Sequence, residues 1–148
     1  MSTYNVNDND FLNSSLYKEF INKNPSNGYL RVRAYSANEA LPVQGLKVII
    51  STEFNGNNII FFEGETNNSG LIDRISLPAP KSITNNLDVP DKTTYEILAT
   101  YPEENLNTVY SVNMYEGICV VQNINVAPMA LEAGVFRWQQ DTLLYQIT

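Results

Sequence analysis

The chain has 148 residues, of which 43% are hydrophobic and 17% charged, a balance that suits one globular domain and is too apolar for wholesale disorder. A formal net charge of −7 excludes the basic face that phosphate binding needs, so nucleic acid is not expected as a partner. Histidine is absent, which removes the commonest general base, the usual activator of a Ser or Cys nucleophile, and the commonest zinc ligand.

The opening Met-Ser-Thr-Tyr-Asn has neither the basic nor the apolar region of a signal peptide, and no run approaches the roughly 18 apolar residues of a membrane span. The expectation is synthesis in the cytoplasm, then action there or assembly into an outer layer without general secretion. Residues 1–27 form a polar, Asn-rich arm with one periodic patch. In it Phe11, Leu12, Leu16, Tyr17, Phe20 and Ile21 recur at helical spacing, with Ser14 or Ser15 as cap, and Pro25 to Gly28 ends the helix. Asp8-Asn9-Asp10 offers oxygen ligands but lacks the spacing and distal Glu of a calcium loop.

From Tyr29 the period becomes two. Leu30, Val32 and Ala34 share one face, with the tyrosines and arginines on the other. Strands are expected over residues 29–35, 46–52, 58–63, 71–77, 93–101, 108–114 and 118–126. Asn55-Gly56-Asn57 and Asn68-Ser69-Gly70 supply turns that need positive φ. Leu77-Pro78-Ala79-Pro80 and the segment to Pro90 read as a crossing loop, because proline donates no ladder hydrogen bond. Seven short strands at even spacing indicate an antiparallel sandwich over residues 28–129. Cys119, in the apolar run Ile118 to Val121, reads as a small buried hydrophobe, and one cysteine builds no intrachain disulfide framework.

Residues 130–148 extend beyond that sandwich. Val135, Phe136 and Trp138, then Leu143, Leu144, Tyr145 and Ile147, make two apolar pieces suited to strands. They suit a strand docked on a neighbouring subunit, an aromatic platform for a sugar, or packing on their own domain. A sandwich complete by Pro128 leaves open edges, which favours the first.

The Leu41 to Gly45 turn before a β-branched strand, the Gly64 to Gly70 turn, the Tyr95 to Tyr101 strand and the closing Val121 to Pro128 resemble the carboxypeptidase-regulatory-like, transthyretin-like β-sandwich family. Leu77 to Pro80 more narrowly resembles the version in clostridial and bacillar proteins related to spore cortex-lytic enzymes. The resemblance spans about residues 28 to 129 and implies an all-β, seven-stranded antiparallel Greek-key sandwich of accessory or structural kind. A short arm or helix would precede the sandwich and a C-terminal strand extension follow it. Pilus modules of similar shape form Lys–Asn isopeptide bonds; here Lys47 with Asn123 or Asn125 is the conceivable pair. Carboxylates Glu63 and Glu65, or Glu103 and Glu104, read as surface charge.

The expectation is a non-enzymatic structural subunit without cofactor or metal, whose partner is itself, in a filament, appendage or spore surface layer. Phe11, Leu12, Leu16, Tyr17, Phe20, Val135, Phe136, Trp138, Leu143, Leu144, Tyr145 and Ile147 are its candidate contact residues. The alternative is an accessory module binding a cell-wall glycan. The usage of Asn, Ile and Lys suggests an AT-rich bacterial genome.

Overall fold

A computed structural model describes residues 2–36, 41–82, 91–102, 106–126 and 144–147. Two short helices, α1 (Asn9–Leu12) and α2 (Ser15–Lys23), lie between the first strand and the rest of a mostly β chain. The strands are β1 (Thr3–Asn5), β2 (Ser26–Ser36), β3 (Leu41–Pro42), β4 (Lys47–Phe54), β5 (Asn57–Glu65), β6 (Leu71–Ala79), β7 (Thr93–Tyr101), β8 (Leu106–Met114), β9 (Cys119–Asn125) and β10 (Leu144–Ile147).

Two sheets result. One has the order β1-β5-β4-β7-β8; the other runs β10-β9-β2-β3, with β6 also paired to β2. The seven expected strands are β2, β4, β5, β6, β7, β8 and β9, and three short strands join them. The ladder is mixed rather than wholly antiparallel: β2 runs parallel to β9, from Tyr29 opposite Cys119 to Tyr35 opposite Asn125, and β1 runs parallel to β5. The β2–β9 pairing places the first and last long strands of the sandwich side by side, an arrangement no local pattern encodes.

Alternation fills the space between the sheets. Leu30, Val32 and Ala34 point inward as their period requires, opposite Val48, Ile50, Ile59, Tyr95, Ile97 and Val112. Tyr95 is fully buried and its hydroxyl donates to the Pro78 carbonyl at 2.6 Å. Burial pushes this phenol far above its usual value, with a smaller push from Tyr17.

Turn chemistry sets the connections. Asn55 and Gly56 both take positive φ, 50° and 76°, and close the β4–β5 hairpin. Gly70 (φ 75°) is required for a second reason: a Cβ there would lie 2.4 Å from the Ala34 carbonyl oxygen. Thr66, buried at the base of the same turn, clips it to the Leu41–Gly45 loop. Its hydroxyl donates to the Val43 carbonyl at 2.7 Å and accepts from the Leu46 amide at 3.0 Å.

Leu77 to Pro80 differs from the expected crossing loop. β6 continues through Ala79, with Pro78 opposite Asn27. Pro78 is tolerated because, among the described residues, β6 has a neighbour on one side only, so a missing donor can face outward, while Pro80 follows the strand's end and residues 83–90 lie outside the described residues.

Candidate functional site

Among the described residues no group of three or more His, Cys, Asp or Glu side chains is placed to hold a metal ion. Glu63 and Glu65 are exposed, and Glu63 accepts from the Asn5 side chain at 3.1 Å. Asp8 caps α1 by accepting from the Asp10 amide at 3.0 Å, which gives the Asp8-Asn9-Asp10 run a structural role. Glu103 and Glu104 lie outside the described residues. Lys47 and Asn123 are not brought together: Lys47 is exposed on β4 in one sheet, while Asn123 on β9 in the other accepts from Arg33 at 3.4 Å.

A concavity on the outer face of the β9–β2–β6 sheet has a volume of about 330 Å³, lined by Tyr29, Arg31, Asp73, Arg74, Gly117 and Cys119. Its charges are already engaged. Arg31 pairs with Asp73 at 2.5 Å, and the Arg74 guanidinium sits 4.1 Å from the centre of the Tyr29 ring. Cys119 is half-buried here rather than fully enclosed, because β9 turns its odd-numbered side chains outward.

The helical candidates lie against the chain's own sandwich. Ser14 ends α1 and starts α2: its hydroxyl donates to the Phe11 carbonyl at 2.6 Å and accepts from the Tyr17 amide at 3.2 Å. Phe20 is 1% exposed, edge-on to Phe54 at 5.2 Å and beside Phe61 at 5.3 Å. Phe11 is buried under Tyr4, stacked at 4.9 Å, while Leu16 and Tyr17 pack half-buried on the same core. Leu12 is half-buried. Asn24 anchors the helix end to β7, its amide donating to the Phe20 carbonyl at 2.9 Å and its oxygen accepting from Thr93. The apolar face of this arm is therefore turned inward.

Val135, Phe136, Trp138 and Leu143 lie outside the described residues. Leu144, Tyr145 and Ile147 sit on β10, opposite Gln122, Val121 and Cys119 of β9 in antiparallel register. β10 thus adds a strand to an edge that β9 would otherwise present.

The remaining edges are guarded unequally. β6 carries Asp73, Arg74 and Pro78, and its register with β2 breaks between Leu30 and Val32. β5 is covered by β1. β8 has none of these devices: its nine residues, Leu-Asn-Thr-Val-Tyr-Ser-Val-Asn-Met, include no charge and no proline. Its ladder with β7 runs unbroken from Thr93 opposite Met114 to Tyr101 opposite Leu106. Among the described residues β8 has no neighbour beyond β7, and Val109 on its outer face is 55% exposed. Natural edge strands are usually blunted by charge, proline or a bulge. Sequence reasoning found β8 as a strand but not as an edge, since which strands are outermost is a tertiary property. Its signal was the run of nine uncharged residues.

No protein-family model and no curated protein matches the chain. Among solved structures it is similar to catechol 1,2-dioxygenase from Acinetobacter sp. ADP1 inhibited by bound mercury, at 11% identity and a TM-score of 0.38. That similarity covers 82% of this chain and 48% of the other, so this chain spans about half the length of that structure. Among the described residues no helix is long and apolar enough to cross a membrane.

Proposed function

We propose that the chain is a non-enzymatic structural subunit that self-assembles by strand addition, with β10 as the donated strand. The observation that carries this reading is the seat of β10 on β9. Adjacent antiparallel strands need a loop of about two to five residues, yet residues 126–143 join this pair. Fully extended, that connection reaches on the order of 50–60 Å, whereas a domain of this size is about 40 Å across. The same β9 edge can therefore receive Leu144 to Ile147 from a second copy in the same register. Exchange that closes on itself gives a ring, and exchange that does not gives a filament. A filament, appendage or spore surface layer is the setting this supports.

In this reading the core is the seven-stranded, Greek-key, transthyretin-like sandwich, with β1, β3 and β10 as additions. The positive φ of Gly45 and Gly70 and the Thr66 clip support that assignment. Replacing Tyr145 and Gln146 together by proline tests it. Neighbouring residues of an antiparallel strand point their N–H groups in opposite directions, so one of the two prolines removes a donor facing β9. Wild-type polymers seen by negative stain, with the double variant confined to smaller species, support strand exchange. Polymerisation unchanged in the double variant refutes it, and a monomer that retains cell-wall polysaccharide favours a glycan-binding module instead.

A further inference from the structure

We propose that Asn55, at the tip of the β4–β5 hairpin, is a site of spontaneous deamidation through a cyclic imide, and that the carboxylate it leaves loosens the hairpin's tie to α2. This chemistry is independent of self-assembly.

The chain contains two Asn-Gly pairs, Asn27-Gly28 and Asn55-Gly56, in which an unhindered backbone nitrogen follows an amide side chain. As dipeptides they are equivalent, but the fold separates them. Asn27 lies within β2 opposite Pro78, and its carbonyl accepts from the Gly117 amide at 2.9 Å. Gly28 is buried, and a Cβ there would lie 2.5 Å from the Tyr115 carbonyl oxygen, so this backbone is boxed in. Asn55 and Gly56 are both exposed, and a Cβ at Gly56 would meet nothing within 4 Å.

Turn geometry supplies the path. With Phe54 opposite Asn57 and φ of 50° and 76°, Asn55 and Gly56 fill the two central positions of a type I′ turn. Ring closure needs the Gly56 nitrogen on the same side of the Cα–C bond as Asn55 Cβ. That is a ψ of about −120° at Asn55, rather than the roughly +30° of type I′. Type II′, the other favoured two-residue hairpin turn, has the required ψ at this position. One flip of the Asn55–Gly56 peptide converts the first turn to the second. Gly56 takes either sign of φ, the Phe54–Asn57 pairing survives, and the loss is one exposed bond, from the Asn57 side chain to the Asn55 carbonyl at 3.1 Å. Within β2 the same flip at Asn27 would break the ladder.

The Gly56 nitrogen, its proton given up to solvent, attacks Asn55 Cγ, and Nδ2 leaves as ammonia. Water then opens the imide. Cleavage of the new bond gives aspartate; cleavage of the original peptide bond gives an isoaspartyl link, with the chain one atom longer through Cβ and Cγ. Either product replaces the amide donor by an anion. In the intact chain Asn55 Nδ2 donates to Glu19 Oε1 on α2 at 3.4 Å, and Phe20, the next residue of α2, packs edge-on to Phe54 at 5.2 Å. After deamidation two carboxylates face one another at that tie and repel.

Ageing the full chain, folded at neutral and mildly alkaline pH and unfolded in urea, tests the site. Residues 24–31 and 48–74 fall in separate tryptic peptides, so each Asn-Gly pair is read independently by mass, with fragmentation to place the change. The expected result in the folded chain is a gain of about 1 Da at Asn55, at least about tenfold faster than at Asn27 and faster as the pH rises. In urea the two sites are expected to react within about threefold of each other. Asn55→Asp is expected to speed hydrogen exchange of the α2 amides at least about twofold, and Glu19→Gln to restore it in that background. Asn55 left intact in a folded chain whose urea sample reacts, or equal rates at both sites in the folded chain, overturns the proposal. Exchange in α2 unchanged by Asn55→Asp overturns the tie between the product and the helix.

Discussion

Replacing Thr66 by valine isolates the clip that holds the Leu41–Gly45 loop to the Gly64–Gly70 turn. Valine has nearly the shape of threonine, so no cavity forms and the perturbation is confined to two hydrogen bonds. The Val43 carbonyl loses its 2.7 Å donor and the Leu46 amide its 3.0 Å acceptor. Both sites are buried: Thr66 is 3% exposed and Leu46 fully enclosed. A buried polar group left unpaired costs about 1–3 kcal/mol. The neighbouring backbone bonds, Thr66 amide to Leu46 carbonyl and Gly45 amide to Thr66 carbonyl, are untouched and limit the local collapse. The expected loss is therefore about 3 kcal/mol, which for a chain of this size lowers the melting temperature by roughly 6–12 °C. Thr66→Ser keeps both bonds, deletes one methyl group and is expected to cost about 1 kcal/mol. Urea unfolding of the three proteins supplies the comparison. If valine is within about 0.5 kcal/mol of wild type, or serine is as damaging as valine, the clip is not what holds this loop.

Gly70→Ala is expected to cost more than about 2 kcal/mol, since it adds a positive-φ penalty to a Cβ contact with backbone that cannot move aside; a melting temperature equal to wild type contradicts this. Gln122 is fully buried with its Oε1 unpaired, so Gln122→Met is expected to stabilise by about 1 kcal/mol in the same urea assay, and a loss would show that the amide is needed. Glu116 accepts from the Ser26 hydroxyl at 2.7 Å and the Ser82 amide at 2.8 Å, which hold its carboxyl below the ordinary value of 4.5. A carboxyl lowered by folding contributes stability above its unfolded pKa and loses it as the pH falls through the folded one. Glu116→Gln is therefore expected to flatten the acid limb of the stability curve below about pH 4.5, and an unchanged limb refutes that linkage.

The sandwich was legible where its determinants are local. Alternation along Tyr29 to Tyr35 placed Leu30, Val32 and Ala34 in the core, and Asn55-Gly56 and Gly70 marked turns that only positive φ can make. Ser14 was recognisable as the cap of α2. What escaped the sequence was set by distant partners. The parallel β2–β9 pairing has no local signature, and Pro78 belongs to a strand because that strand is an edge. Phe11 and Phe20 read equally well as docking residues and as core; the structure turns both onto their own domain, where Phe54, Phe61 and Tyr4 supply the contacts. The edge status of β8 depends on the order of the whole sheet. Nine uncharged residues were visible, but not that nothing described pairs beyond them.

Head-to-tail exchange of β10 that does not close on itself would yield an extended assembly rather than a closed dimer. The most direct test is the mass distribution of the purified full chain by analytical ultracentrifugation across a concentration series. Wild type and Tyr145→Pro/Gln146→Pro are compared. Strand exchange through β10 requires concentration-dependent species in wild type and their loss with the two prolines. A wild-type chain that stays monomeric at every concentration, or two indistinguishable profiles, contradicts it.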